Sequence, residues 1–175
     1  MSDTIFNYMN TGTFTTNPCN EIYMGNLTAA KYNCTRPQVE CLVQDPKLMP
    51  QRQHATDAGA DLKSAEDCEI YPGEQKMVDT GVAVKVPPGY VGYVFNRSSQ
   101  GKAGISIPHS VGVIDSDYRG NIKVILKNNG EDPYIIKRGE TRIAQLVISP
   151  VMLAEFVDVW NDTERGSGGF GSTGT

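Results

Sequence analysis

From about Val43 onward the chain changes side-chain character at every second residue, a period that a strand can use and a helix cannot. Val82, Val84 and Val86 alternate ahead of Pro87-Pro88-Gly89, and Val91, Tyr93 and Phe95 alternate after it. Ile122, Val124 and Leu126 follow with Lys123 and Lys127 on the opposite parity, and then Ala144, Leu146 and Ile148. Pro72-Gly73, Pro87-Pro88-Gly89, Asn128-Asn129-Gly130 and Arg138-Gly139 punctuate the runs at spacings typical of a barrel or sandwich. The expected class is all-β with at most one short helix.

A chain of 175 residues with 39% hydrophobic content can bury one good core, so one domain with an appendage is expected. Residues 1–37 lack apolar alternation, are rich in Asn, Thr and Tyr, and end at Arg36-Pro37. They are assigned as an N-terminal extension without a defined role, residues 38–163 as the β domain and residues 164–175 as a glycine-rich arm. A net charge of −4 speaks against non-specific nucleic-acid binding, which needs a clustered cationic surface. No apolar stretch spans a bilayer and no basic-then-apolar leader follows Met1, which predicts a soluble, cytoplasmic protein, in the host-cell cytoplasm if viral. Cys19, Cys34, Cys41 and Cys68 show no CxxC spacing, so neither a zinc knuckle nor a disulfide framework is indicated.

Four segments carry chemistry. The arm, Arg165-Gly166-Ser167-Gly168-Gly169-Phe170-Gly171-Ser172-Thr173-Gly174-Thr175, combines a cation, hydroxyls, glycines and one aromatic. Glycines let backbone N–H groups converge on an anion, Arg165 can meet a phosphate bidentately, and Phe170 offers a face to a base. A disordered tail is the plainer reading of such a composition taken alone. Asp57-Ala58-Gly59-Ala60-Asp61-Leu62 sets two carboxylates at the entrance of a strand, as an ordinary turn also would. Arg97-Ser98-Ser99-Gln100-Gly101-Lys102 follows a strand and suits phosphate contact, but is not a Walker loop because Ala103 follows Lys102. Gly112-Val113-Ile114-Asp115-Ser116-Asp117-Tyr118-Arg119-Gly120 is the most specific, a strand ending in two carboxylates, an aromatic and a cation.

In order, these segments together with Gly139-Glu140-Thr141-Arg142-Ile143-Ala144-Gln145-Leu146 resemble the five motifs of the trimeric deoxyuridine triphosphatases (dUTPases) over about residues 38–175. A phage or viral member is one form this could take. The resemblance implies a distorted β-barrel or jelly roll forming a homotrimer, with dUTP sites at subunit interfaces and Mg²⁺ as cofactor. It implies hydrolysis of dUTP to dUMP and pyrophosphate, with Asp115 activating the water that attacks the α-phosphorus. Tyr118 matches the aromatic beneath the deoxyribose. Arg97, Ser98, Ser99 and Gln100 match the phosphate contacts of the second motif, and Gln145 that of the fourth. His109, Val111 and Ile114 fall in the region that reads the base, largely through backbone groups. Asp61 matches the carboxylate that reaches Mg²⁺ through water, while the substrate phosphates hold the metal. Arg165, Phe170, Gly171, Ser172 and Thr173 match the closing arm.

Elementary chemistry agrees with these roles. A triphosphate carries about four negative charges, which a metal and guanidinium groups must offset before a base can help. Mg²⁺ keeps most of its waters, so no cluster of carboxylates is required. With two histidines in the chain, a carboxylate base is the simpler choice. Two departures stand out: His109 sits where the family usually has Asn, and Asn96 where Pro is common, in a second motif one residue short. The alternatives are a dCTP deaminase of the same fold, and a dUTPase-fold protein that also acts as a protein-binding regulator, for which residues 1–37 would be the contact. A zinc deaminase is excluded by the lack of H-x-E and P-C-x-x-C. Separately, Asn17-Pro18-Cys19-Asn20-Glu21-Ile22 resembles the active-site strand of ribonucleotide reductases, a six-residue match attributed to chance.

Overall fold

The computed structural model describes residues 38–161, 163, 166 and 167. All but Gln38 belong to the compact unit Val39–Thr175. The expectations for residues 1–37, including the Asn17–Ile22 segment, lie outside the described residues.

Eleven strands and one short helix make up the described residues: β1 (Glu40–Val43), β2 (Ala60–Lys63), β3 (Cys68–Ile70), β4 (Gln75–Asp79), β5 (Val82–Lys85), β6 (Tyr90–Phe95), α1 (Ser98–Lys102), β7 (Ile105–Ser106), β8 (Val111–Ile114), β9 (Lys123–Asn128), β10 (Tyr134–Ile136) and β11 (Arg142–Pro150). A 3₁₀ turn, Pro46–Leu48, buries Leu48 completely. The strands pair antiparallel in four small sheets, of which the largest has the order β2-β11-β6-β8 and the next β4-β9-β7. This is the all-β jelly roll expected, with its single short helix. Among the described residues no helix is long and apolar enough to cross a membrane.

Alternation sorts the core. Val124 and Leu126 of β9 are buried, as is Ile122 just before it, while Lys123 is exposed and Lys127 half-buried on the other face. Ala144 and Leu146 of β11 point inward in the same way. Strand β6 departs from this scheme. Its inward positions are Gly92 and Val94, while Tyr93 and Phe95 lie on the outer face with ring centroids 5.8 Å apart. The outer face of the large sheet is thus apolar in part, with Val113 and Phe95 exposed beside half-buried Tyr93 and Val147.

Strand β11 carries a bulge. Gln145 faces Asp61 and Ala144 faces Leu62, but the next partner of Lys63 is Arg142, because the register shifts between Arg142 and Ala144. Ile143 and Ala144 both turn inward as a result, each fully buried, and Arg142 emerges on the face that Asp61 occupies.

Buried polar side chains tie the loops to this frame. Asn128, 1% exposed, donates from Nδ2 to the carbonyls of Ile70 and Asp132, both at 2.8 Å, and its Oδ1 accepts from Gly130 N–H at 2.9 Å. It therefore pins the end of β9 to β3 and to the turn that leads into β10. Asn128→Ala should cost about 2–4 kcal/mol, since several buried groups lose partners at once. A urea-denaturation midpoint unchanged from wild type would contradict this role.

Candidate active site

A cleft of ≈ 350 Å³ is lined by Gln53, Asp57, Ala58, Gly59, Asp61, Arg97, Ser98 and Gln145. Its parts come from three neighbouring strands. Asp61 stands on β2, Gln145 opposite it on β11, and Arg97 and Ser98 follow β6, whose Phe95 pairs with Gln145. Three segments singled out in the sequence therefore meet because β11 lies between the strands that carry the other two.

Asp61 is the electrostatic centre of the cleft. Its side chain is 13% exposed; Oδ1 accepts from Arg97 Nε at 2.7 Å and Oδ2 from Arg142 Nη1 at 3.1 Å. Gln53 Nε2 adds a longer contact to Oδ2 at 3.4 Å. A carboxylate has about four acceptor positions, so one remains for a further donor. Arg97 also donates from Nη1 to Ser99 Oγ at 3.2 Å, and its Nη2 has no partner among the described residues. That nitrogen is free for an anion in the cleft. Ser99 is thus turned to Arg97, while Ser98 lines the cleft.

Gln100 has a different place. Its side chain is 3% exposed and donates from Nε2 to Tyr134 Oη at 3.2 Å, so it points into the protein and not into the cleft. Any contact it makes with a phosphate is left to its backbone. Of the expected Arg97, Ser98, Ser99 and Gln100, only Arg97 and Ser98 line the cleft.

The loop geometry of this motif is held by two devices. Asn96 donates from Nδ2 to Ile105 C=O at 2.8 Å and accepts at Oδ1 from Arg97 N–H at 3.0 Å. Its side chain thus ties the loop down where a proline ring would restrict φ. Gly104, at φ +78°, ends the helical turn where an added Cβ would lie 3.0 Å from the Gly130 nitrogen.

Gln145 donates from Nε2 to Asn96 C=O at 2.9 Å, leaving its second amide hydrogen for an anion. Its Oε1 lies where a Cβ on Gly59 would be, which explains the glycine in the first motif. The loop before β2 is knit by Asp57. Its Oδ2 accepts from His54 N–H at 2.9 Å and faces His54 Nδ1 at 3.3 Å, while Arg52 Nε donates to Asp57 C=O at 2.8 Å. The His54 N–H holds the Asp57 carboxyl below the usual carboxylate range, so the cleft carries a second anion.

The third motif lies elsewhere in the chain. Asp115 directly follows β8 and is exposed; Tyr118 is exposed and donates to Asn121 C=O at 2.9 Å, and Arg119 braces the turn through Ser116 C=O and Tyr118 C=O at 2.8 Å. A Cβ on Gly120 would sit 2.5 Å from Tyr118 Oη, so the glycine gives the ring its place. His109 is exposed at the turn before β8, where Ser110 takes φ +68°, and its Nε2 lies 3.8 Å from where a Cβ on Gly112 would be. Val111 and Ile114 are half-buried on β8.

One register row, Asp61–Gln145–Phe95–Val111, runs across the whole sheet. At about 4.8 Å per strand, Val111 lies roughly 14 Å from Asp61, and Asp115 is further along β8. Asp115 of one chain is thus remote from that chain's Asp61, although β8 itself runs beside β6, which leads into Arg97 and Ser98.

Arg165, Phe170, Gly171, Ser172 and Thr173 lie outside the described residues. The segment that leads to them leaves the barrel with Met152 88%, Phe156 97% and Trp160 90% exposed. The two cysteines among the described residues, Cys41 and Cys68, are free, and burial pushes both thiols up, so neither is poised as a nucleophile. No group of three His, Cys, Asp or Glu side chains among the described residues could cage a metal.

The dUTPase family model matches residues 45–174, so the chain belongs to the dUTPase family. It is 50% identical over 135 residues to the deoxyuridine 5'-triphosphate nucleotidohydrolase of Corynebacterium diphtheriae, covering 74% of this chain and 88% of that protein. The dUTPase of Staphylococcus bacteriophage 80alpha, solved with dUpNHpp, superposes with TM-score 0.67 at 32% identity, covering 80% of this chain and 100% of that one. A mutant dUTPase of phage phi11 of S. aureus, whose structure reveals the coordination of a structural Mg(II) ion, gives TM-score 0.65 at 29% identity over 71% of this chain and 98% of that one.

Sequence reasoning passed over Arg142, Gln53 and the loop role of Asn96. No local signal marks Arg142: Ile143-Ala144 is an apolar pair, but Leu146-Val147-Ile148 breaks the alternation in the same strand. Gly59→Ala should raise KM for dUTP several-fold by displacing Gln145, with the melting temperature within a few degrees of wild type. Equal KM values for the two proteins would show that the glycine is not needed for the cleft.

Proposed function

We propose that the chain hydrolyses dUTP to dUMP and pyrophosphate at a site completed between copies of itself. The observation that carries this reading is the cleft: Arg97, the Ser98 hydroxyl and the Gln145 amide line it around Asp61, whose other carboxylate oxygen is held by Arg142. Such a set fits a polyphosphate, whose charge Arg97 can meet while Gln145 and Ser98 direct its oxygens.

The donor set of the cleft also suits Mg²⁺. With no carboxylate cage, it fits an ion held by phosphate oxygens and water, with Asp61 offering its remaining acceptor position. When bound, Mg²⁺ draws charge from the phosphates and leaves the α-phosphorus more open to attack. Asp115 takes a proton from water as the oxygen bonds to the α-phosphorus, the bond from that phosphorus to the bridging oxygen breaks, and pyrophosphate leaves. Tyr118 lies under the deoxyribose and leaves no room for a 2′-hydroxyl. His109 adds a hydrogen-bonding group at the uracil edge in place of the usual Asn.

The distance between Asp115 and Asp61, which stands three strands away from β8, supports a homotrimer in which the Asp115 turn of one chain faces the cleft of another. The partly apolar outer sheet face between them supports the same assembly, as do the exposed apolar residues from Met152 to Trp160. The arm beyond them, with Arg165 and Phe170, then closes a neighbour's site over phosphate and base.

Product analysis with dUTP, dCTP, dTTP and UTP tests the reaction: release of dUMP and pyrophosphate from dUTP alone is expected. Asp115→Asn should lower kcat by roughly 10²-fold or more while nucleotide still binds. Turnover within a few-fold of wild type would remove Asp115 from the role of base. Tyr118→Ala should shift the ratio of kcat/KM for UTP over dUTP upward by about tenfold or more, and an unchanged ratio would count against the sugar contact.

A further inference from the structure

We infer that Arg142 is a positioning residue for the phosphate side of the site, brought there by the β11 bulge and acting through Asp61. The inference rests on the dUTP-hydrolysing reading above and deepens it.

The geometry is specific. Without the bulge, strict alternation from Gln145 would set Ile143 on the outer face and turn Arg142 toward the core. The extra residue buries Ile143 and Ala144 together and turns the guanidinium onto Asp61 Oδ2 at 3.1 Å. Bulges cost ladder hydrogen bonds, and here the extra residue both buries Ile143 and forms this ion pair.

The pair has two consequences for a polyphosphate. Asp61, 13% exposed at the cleft, would repel an anion if Arg97 alone offset it. A second guanidinium cancels that charge, so Arg97 keeps a net positive charge to offer. Asp61 also holds Arg97 by its Nε at 2.7 Å, which fixes the plane of the guanidinium and leaves Nη2 for the ligand. Arg142 anchors the opposite carboxylate oxygen, so Asp61 cannot rotate away with Arg97. Arg142 itself need not touch substrate.

The test uses the full chain and two variants, Arg142→Gln and Arg142→Lys. Arg142→Gln should raise KM for dUTP about tenfold with kcat reduced less than about threefold, and weaken binding of inorganic pyrophosphate, measured by calorimetry, about fivefold or more. Inhibition by dUMP should stay within about twofold of wild type, because dUMP lacks the β- and γ-phosphates. Arg142→Lys, which keeps a cation without the fork, should recover part of the loss. In an Asp61→Asn background, Arg142→Gln should add less than about twofold, since the carboxylate through which it acts is gone.

Pyrophosphate binding and KM within twofold of wild type would overturn the inference, as would losses equal for dUMP and dUTP, or losses fully additive with Asp61→Asn. Should Arg142→Gln fail to fold by circular dichroism, Arg142→Lys carries the same comparisons. Wild-type protein that does not hydrolyse dUTP would sink the functional reading alone, because the pyrophosphate titration needs no turnover.

Discussion

Strand β11 pairs along both edges, with β2 on one side and β6 on the other, and the rest of the site follows from its register. Ala144 and Leu146 are committed to the core, so the strand cannot slip by one residue without exposing them and burying Gln145 opposite Asp61. The apolar requirement of the interior thus holds the polar residues of the cleft in place. Asn96 and Gly59 refine this placement, one by lending its carbonyl to Gln145, the other by leaving room for that side chain.

Charge in the cleft is arranged in opposed pairs. Two carboxylates, Asp57 and Asp61, line the cleft proposed to take a polyphosphate, which would be self-defeating without compensation. Asp57 is taken up by the backbone of its own loop, and Asp61 by two guanidiniums. What faces the cleft is then a carboxylate already satisfied and an arginine already oriented, so little reorganisation is needed when an anion arrives.

The separation of the Asp115 turn from the cleft gives the outer face of the sheet a second task. A monomer would gain nothing from Phe95 and Val113 pointing outward, and exposed apolar surface of this kind has a cost in water. In the proposed assembly, burial between copies would remove that cost and would bring base and phosphate sites together. Stability of the assembly and completeness of the site would then share one physical cause.

Much was legible in the sequence because it rests on local chemistry. Two-residue alternation, with Pro and Gly between runs, points to strands and turns, and the resemblance of the motifs to the dUTPases singled out Asp61, Arg97, Ser98, Asp115, Tyr118 and Gln145, of which Asp61, Arg97, Ser98 and Gln145 line one cleft. Tertiary structure decided the rest. The Tyr93 and Phe95 alternation looked like any core strand, and only pairing with β11 and β8 revealed it as outward, since period two names the faces but not which is buried. Gln100 read as a phosphate ligand from its neighbours, yet the turn of α1 carries its side chain inward to Tyr134. Arg142 could not be placed without the bulge, because a one-residue shift reverses which face a side chain occupies, and that shift is set by packing across three strands, not by the residues beside it.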